Sequence, residues 1–184
     1  MKKNNFYVIT GGPGVGKTTL LNKLAQTGYL TIEEEARRII KEQMAIGGNG
    51  LPWKNKIAYA QLMLDASVKT FEKISSNGFL PPVFFDRGIL DAVCYMRMEN
   101  ISLSKDVIEI VGKCRYNKKV FMLPPWAEIY ETDTERRQSW KEAVFTFEKM
   151  KETYLLYDYQ VIEVPKGSVS IRQQFIVDTI NQRR

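Results

Sequence analysis

One stretch near the start of the chain decides the fold: FYVIT at residues 6–10, followed by GGPGVGKT at residues 11–18. The first five residues are apolar, aromatic or β-branched, which predicts a buried strand. The next eight match the spacing GxxxxGK[ST]. In that pattern the glycines let successive backbone N–H groups turn toward one anion, and the following helix adds its positive end. The stretch therefore predicts a strand, a phosphate-binding loop and a helix, in that order.

Two side chains of this loop have chemistry of their own. Lys17 is placed to reach the β- and γ-phosphates of a nucleotide, and the Thr18 hydroxyl is placed to coordinate Mg²⁺. We therefore expect ATP and Mg²⁺ as cofactors, although the motif does not distinguish ATP from GTP. The alternative is a glycine turn that only connects a strand to a helix. The predicted nucleotide-binding residues are Gly11, Gly12, Pro13, Gly14, Val15, Gly16, Lys17, Thr18 and Thr19.

Four further runs have the length and composition of strands, namely Tyr29–Glu33, Val83–Asp86, Val120–Leu123 and Gln160–Val164. Stretches of helical period separate them, and this alternation builds a parallel sheet with helices on both faces. We expect each strand to be buried on both sides. The predicted fold is thus a single three-layer α/β/α domain over residues 1–184, with a five-stranded parallel sheet.

The last long helical stretch is predicted at residues 138–157, where apolar side chains recur every three or four positions. This apolar stripe is predicted to face the core. Its members are Trp140, Val144, Phe147, Met150, Tyr154 and Tyr157. Earlier helices are predicted at about residues 16–26, from residue 33 onward, and at 54–77.

Composition narrows the chemistry that such a domain can perform. The 184 residues are 44% hydrophobic and contain 27 Lys and Arg against 21 Asp and Glu, a net charge of +6. Because there is no histidine, Ser-His-Asp triads and histidine metal sites are excluded. The basic residues are scattered along the chain, so the charge suits a polyphosphate pocket better than a nucleic-acid surface.

The surroundings of the protein are also indicated by composition. No apolar run approaches the roughly 20 residues that cross a bilayer, so no membrane partner is expected. The two cysteines, Cys94 and Cys114, lack CxxC spacing and are too few for a disulfide framework. We expect a cytoplasmic protein in which both thiols are buried apolar fillers.

The third predicted strand ends in an acid, Asp86, which is followed by Arg87. Ligands of parallel sheets bind at the carboxyl ends of the strands, so Asp86 is predicted to hold Mg²⁺ directly or through water. Capping of the next helix is the alternative for Asp86, and a surface ion pair is the alternative for Arg87. AAA+ motors generally have Glu after this Asp, so Arg87 argues against a motor. The GTPase motif NKxD is also missing. Its nearest match, Asn117-Lys118-Lys119-Val120, has Val where the Asp belongs.

Three motifs together resemble a known family. They are Gly11–Thr18, Asp86-Arg87-Gly88 with Asp91, and Pro124-Pro125-Trp126 leading to Glu131–Arg137. Along nearly its whole length the chain is similar to the small bacterial "predicted ATPase" (AAA-domain) family of P-loop proteins, relatives of nicotinamide riboside kinase and deoxynucleoside kinases. This resemblance implies a nucleotide-kinase-like fold with strand order 2-3-1-4-5 and a short helical lid at about residues 126–141.

The resemblance also implies a catalytic base. In kinases of this type a carboxylate at the end of the second strand accepts the proton of the acceptor hydroxyl. Glu34 aligns best with that position, but Glu33 and Glu35 are adjacent and stay open. The alternative is that these acids only favour the start of a helix through its dipole. Arg87 is grouped with the catalytic residues by the same resemblance.

The implied lid contributes two further candidates, Arg136 and Arg137. One of them would reach the β- and γ-phosphates when the lid closes, although the arginines of a solvated helix would look the same in sequence. Trp53 and Trp126 each lie beside a proline. They are candidates for stacking on an acceptor ring or for ordinary packing.

The sequence leaves two main functions open. The first is a Mg²⁺-dependent kinase that transfers the γ-phosphoryl group of ATP to a small-molecule, nucleoside-like acceptor. The second is a nucleotide-dependent switch or slow ATPase that acts through a protein partner. A kinase acting on nucleic-acid ends is a third hypothesis, which rests on the net charge of +6.

Overall fold

The computed structural model describes residues 3–78, 81–129 and 139–182. Its strands are β1 (Phe6–Gly11), β2 (Leu30–Ile32), β3 (Val83–Asp86), β4 (Lys119–Leu123) and β5 (Gln160–Glu163). Its helices are α1 (Lys17–Gln26), α2 (Glu35–Ala45), α3 (Lys56–Ser75), α4 (Ile89–Met98), α5 (Lys105–Lys113), α6 (Trp140–Leu156) and α7 (Val169–Asn181). The strands form one parallel sheet in the order β2-β3-β1-β4-β5. The predicted α/β fold and strand order are confirmed, and each predicted strand lies within one residue of its observed ends.

Period-2 alternation in the central strands creates two separate cores, one on each face of the sheet. In β1, Phe6 and Val8 pack toward one core together with side chains of α3, α4, α5 and α6. Tyr7 and Ile9 point the other way and pack with α1 and α7. A smaller apolar cluster joins α2 to α3 around Ile39. The carboxyl end of β1 is therefore supported from both sides.

The expectation that every strand is buried on both sides is wrong for β2 and β5. Both are edge strands of the sheet, and their residues are exposed or half-buried. Leu30, the first residue of β2, is 40% exposed. An edge strand has a neighbour on one side only, so its side chains are less covered than those of β1, β3 and β4.

The apolar stripe predicted for residues 138–157 is only partly correct. Phe147, Met150 and Tyr154 of α6 are buried, but Trp140 is 42% and Val144 37% exposed. The buried residue of the first turns is Ala143 instead. The start of α6 lies close to the loop after β1, since a Cβ added at residue 12 would be 3.9 Å from the Ala143 carbonyl oxygen. Where α6 comes close to this loop, the buried side chain is the small one of Ala143.

The structure also bears on the cysteines, on membrane-spanning helices and on the predicted lid. Cys94 and Cys114 are both buried and free, as predicted. Among the residues described, no helix is long and apolar enough to cross a membrane. Of the lid predicted at 126–141, residues 130–138 lie outside the described ranges, and a single 3-10 turn, Ala127–Ile129, precedes them.

Candidate active site

The loop between β1 and α1 leaves the sheet beside β4. Gly11 ends β1 in register with Leu123, and its φ is +143°. A Cβ at this position would be 2.6 Å from the Leu123 carbonyl oxygen, so no larger residue fits without moving backbone. α1 begins at Lys17, directly after Gly16 with a φ of +83°. The strand, loop and helix therefore follow each other as the sequence predicts.

Lys17 lies buried inside the curve of this loop. Its Nζ donates hydrogen bonds to the carbonyl oxygens of Gly11, at 2.9 Å, and Gly12, at 2.7 Å. Burial, and then the neighbouring Arg87 guanidinium, lowers the pKa of Lys17 to about 7. A negative charge added nearby would offset both contributions and favour the charged ammonium. A bound anion and the protonated form of Lys17 would therefore stabilise each other.

Two neighbouring pockets adjoin the loop. One, of about 380 Å³, is lined by Pro13, Gly14, Gly16, Lys17, Thr18, Thr19, Glu34, Arg37 and Arg87. The other, of about 550 Å³, shares Thr18, Glu34 and Arg37 with it and continues past Asp86 to the first turns of α2. Both volumes are in the range of small-molecule sites. The predicted loop residues and Glu34 are thus brought to one place.

Arg87 is held over this place by two carboxylates. Its Nε donates to Glu34 Oε1 at 2.6 Å, and its Nη1 donates to Asp91 Oδ1 at 3.2 Å. Its φ of +70° is in the left-handed region, which is unfavourable for a residue with a Cβ. Burial disfavours the charge on Arg87, but the surrounding carboxylates outweigh it and raise the pKa above its ordinary value. Arg87 is therefore a fixed cation, not a loose surface charge.

The three adjacent acids before α2 have different surroundings. Glu33 is exposed. Glu35 accepts hydrogen bonds from Thr70 of α3 and from Arg38, and all three acids line the pocket of about 550 Å³. Glu34 alone of the three lines the pocket of about 380 Å³. Burial opposes its charge, but the Arg87 and Lys17 cations outweigh burial and lower the pKa of Glu34, so this carboxylate is ionised at neutral pH.

Asp86 ends β3 on the same edge of the sheet. Its Oδ1 is buried and has no hydrogen-bond partner, and burial raises the pKa of Asp86 to about 6. The N-cap of α4 is Gly88, whose N–H is bound by Asp91, so Asp86 does not serve as the cap. A buried carboxylate oxygen without a partner fits a divalent cation. Among the described residues no group of three or more His, Cys, Asp or Glu side chains could hold a metal ion. Besides Asp86 and Thr18, phosphate oxygens and water would complete the ligands of such a cation.

Asp91, which the sequence singled out only as part of a motif, joins three elements below the site. It accepts hydrogen bonds from Thr10 at the end of β1 and from Tyr154 of α6, the latter at 2.6 Å. It also accepts from the Gly88 N–H at 2.8 Å, besides the bond from Arg87. Its carboxylate thus fixes Arg87 relative to the phosphate loop and to the helix that follows residues 130–138.

The predicted lid arginines, Arg136 and Arg137, lie outside the described residues. Arg37, on the first turn of α2, lines both pockets and is largely exposed. Its Nε is 3.7 Å from Glu34 Oε2. Trp53 is 63% exposed and lines neither pocket adjoining the loop.

Sequence reasoning missed Arg172 in α7. This residue is 7% exposed, and its Nη1 donates to the Val15 carbonyl oxygen at 3.2 Å. Its guanidinium carbon lies 5.6 Å from the centre of the Trp126 ring. The proline-flanked Trp126 was the only sequence signal for this contact, because nothing in the pattern of α7 distinguishes Arg172 from a solvated arginine.

Comparison with known families agrees with this geometry. The sequence profile of an AAA domain family matches residues 6–172. The chain belongs to that family. The match extends from β1 through Arg172 and includes every site element described above, which confirms the family resemblance inferred from the motifs.

Solved structures show the same fold. The NadR protein in complex with NR matches with a TM-score of 0.72 and 18% identity over 96% of this chain. This chain covers about half of NadR, 50% of its length. Deoxyadenosine kinase from M. mycoides with dCMP and dCDP matches with a TM-score of 0.63 and 18% identity, covering 97% of this chain and 100% of that one. Shikimate kinase from Acinetobacter baumannii in complex with shikimate matches with a TM-score of 0.57 and 15% identity, covering 95% and 92% of the two chains.

The TM-scores, and not the low identities, show that the chain has the fold of these kinases. None of the curated proteins compared with this chain matches it by sequence.

Proposed function

We propose that this protein is an ATP-dependent kinase that transfers the γ-phosphoryl group to a hydroxyl of a small, nucleoside-like acceptor. The observation that supports this most directly is the Glu34–Arg87 pair beside Lys17 and the phosphate loop. A switch needs only the loop and a moving segment, whereas a kinase also needs a carboxylate next to the phosphates to receive the acceptor proton.

Glu34 is the proposed base. Its lowered pKa keeps it ionised, and the hydrogen bond from Arg87 fixes Oε1. The other oxygen, Oε2, is 3.7 Å from Arg37 Nε, an exposed side chain that also lines the pocket. The acceptor hydroxyl would donate its proton to Glu34 as its oxygen bonds to the γ-phosphorus and the bond to the β-phosphate oxygen breaks. Since phosphoryl transfer proceeds through a loose transition state, alignment of the two reactants matters more than strong basicity.

Lys17 and Arg87 are the proposed cations for the transferring group. Both lie beside the loop pocket, where their charges would stabilise negative charge on the phosphoryl oxygens. Arg136 and Arg137 are proposed to add a further positive charge from the lid. Asp86 and Thr18 would hold Mg²⁺, which supplies charge neutralisation of the β- and γ-phosphates when bound.

The solved structures support a nucleoside-like acceptor. NadR is bound to NR, and deoxyadenosine kinase is bound to dCMP and dCDP. The pocket of about 550 Å³ next to Glu34 is large enough for a molecule of that size. By contrast, shikimate kinase, another protein of this fold, is bound to shikimate, so the acceptor panel should extend beyond nucleosides.

The test is ADP release from Mg-ATP by the purified protein, with a panel of nucleosides, nucleotides, nicotinamide riboside, shikimate and small vitamins. We expect one acceptor class to raise ADP release at least tenfold over the basal rate, and Lys17→Ala to remove the activity. Thermal unfolding of Lys17→Ala checks that the variant is folded. A variant at residue 17 with wild-type turnover would overturn the proposal.

A second candidate, a nucleotide-dependent switch acting through a protein partner, is favoured by one observation. Val144 and Phe145, at the start of α6, are 37% and 53% exposed, directly after the segment that the lid would occupy. Exposed apolar side chains that lie together are typical of interaction sites. A flat acceptor panel with intact ATP binding would favour this candidate.

A further inference from the structure

Arg172 occupies an unusual position for a charged residue. It lies in the first turn of α7, is 7% exposed, and reaches the loop between β1 and α1 through the hydrogen bond to the Val15 carbonyl oxygen. Its Nη1 would be 2.8 Å from a Cβ at Gly16. The guanidinium therefore packs directly against the backbone that precedes Lys17.

Within the part of the chain that the structure describes, nothing neutralises the charge of Arg172. No carboxylate of the described residues forms an ion pair with it, and its Nε is buried without a hydrogen-bond partner. Its partners are a neutral carbonyl group and the face of Trp126. Burial accordingly lowers the pKa of Arg172. A buried cation is normally paired, because desolvation without a counter-charge is unfavourable.

The position of this cation points to what compensates it. A polyphosphate bound by the loop would bring several negative charges to the backbone that Arg172 touches. Arg172 does not line either pocket adjoining the loop, so it would act through the loop and through its field instead of by direct contact. Its bond to Val15 also fixes the carbonyl direction, and with it the peptide N–H of Gly16.

We propose that Arg172 is a positioning residue for polyphosphate binding, which holds the backbone of residues 15–16 in its anion-binding conformation and adds an unneutralised positive charge behind it. The inference rests on the proposed nucleotide binding at this loop. It assigns to α7, at the far end of the chain, a part in phosphate affinity that the loop motif alone does not include.

The experiment compares wild-type protein with Arg172→Met and Arg172→Lys. Methionine keeps an unbranched side chain but removes the charge and the hydrogen bond, and lysine keeps only the charge. Lys69→Met is the matched control, because Lys69 is exposed on α3 and its loss changes the net charge equally. Dissociation constants of Mg-ATP, inorganic tripolyphosphate and adenosine are measured by calorimetry or by competition, after circular dichroism has shown that each variant is folded.

We expect Arg172→Met to weaken tripolyphosphate and Mg-ATP by a similar factor of about 10 to 100, the range of a hydrogen bond to a charged group. Adenosine affinity should stay within about twofold of wild type, since the inference concerns phosphate alone. Arg172→Lys should recover part of the loss, and Lys69→Met should resemble wild type. A merely structural role would weaken all three ligands alike.

The inference is overturned if Arg172→Met binds tripolyphosphate as wild type does. It is also overturned if the affinity for ATP falls while the affinity for tripolyphosphate does not, because Arg172 would then act on the adenosine part of ATP. If the methionine variant does not fold, Arg172→Lys decides. Because it loses the bond to Val15, it should weaken tripolyphosphate more than adenosine, and equal affinities to wild type would contradict the inference. If wild-type protein binds neither ATP nor tripolyphosphate, the proposed function itself fails, which is a distinguishable result.

Discussion

Arg87 and Arg172 are two shielded arginines on different sides of one phosphate loop, and they are balanced in opposite ways. Arg87 is bound by the carboxylates of Glu34 and Asp91, whereas Arg172 contacts a carbonyl oxygen and an aromatic ring. A cation already neutralised by protein carboxylates holds those carboxylates in place. A cation left unneutralised acts on a ligand that brings the negative charge. The comparison therefore separates the front of the loop, where Arg87 and Glu34 would meet the transferring phosphoryl group and the acceptor, from the back of the loop, where Arg172 lies.

The largest expected effect at the front of the loop is that of Glu34→Gln. The amide keeps the shape of the side chain but cannot accept the acceptor proton, so we expect acceptor-stimulated ADP release to fall about a hundredfold or more. The dissociation constant of Mg-ATP should change less than about threefold, because the loop backbone and Lys17, which would hold the phosphates, are unchanged. Glu33→Gln, at the exposed neighbour, is the control and should be close to wild type. If Glu33→Gln lost activity and Glu34→Gln did not, the base would be Glu33.

The carboxylate of Asp91 supports Arg87 from below. Asp91 accepts hydrogen bonds from Thr10, Arg87, Gly88 and Tyr154, and Asp91→Asn would set an amide N–H against some of these donors. We expect the free energy of unfolding in urea to fall by about 2–4 kcal/mol. Asp158→Asn is the control, since Asp158 has a positive φ of 62°, a conformation that Asn tolerates. Equal stability of the two variants would show that Asp91 contributes little.

The Glu34–Arg87 pair should also make stability depend on pH. The pKa of Glu34 in the folded protein is lowered, so its contribution is present above the unfolded pKa of about 4.3 and is lost as pH falls through the folded value. The difference in free energy of unfolding between wild type and Glu34→Gln should be about 1 kcal/mol near pH 7 and should shrink below about pH 4. A difference that is constant from pH 7 to pH 3.5 would assign the effect to packing. Glu33→Gln again serves as the control.

The smallest expected effect lies at the back of the loop. Trp126→Leu removes the ring next to the Arg172 guanidinium, and we expect the free energy of unfolding to fall by about 0.5–1 kcal/mol beyond the lost packing. Trp53→Leu is the matched control, because Trp53 is 63% exposed. Combining Trp126→Leu with Arg172→Met in a double-mutant cycle isolates the contact between the two side chains. Additive effects would mean that the ring and the guanidinium do not interact.

Much of the fold could be predicted because local and global signals agree. The loop motif, its flanking strand and helix, and the alternation of strands with helices all indicate one parallel sheet. Burial at the sheet edges could not be predicted in the same way, since strand position is a property of the topology and not of the run Leu30–Ile32. The exposure of Val144 likewise depends on where α6 begins relative to the phosphate loop.

The candidate site was also only partly accessible from the sequence. The loop residues became candidates because their spacing is typical of phosphate binding. Asp86 became a candidate because it directly follows an apolar run. The surroundings that distinguish Glu34 from Glu33 and Glu35 arise from Arg87, which is 53 residues away in the chain. Arg172 is 157 residues from Val15, and no pattern within α7 indicates that contact.

The close approach of Gly11 to β4 has a consequence for motion. Because the first residue of the loop is also paired with Leu123, the loop cannot shift without displacing the end of β4, from which the segment toward residues 130–138 continues. Restraint of the loop by a ligand should therefore slow hydrogen exchange at the last amides of β4 in the folded protein, although no ligand touches them. Exchange there that is identical with and without Mg-ATP would show that the loop and β4 fluctuate independently.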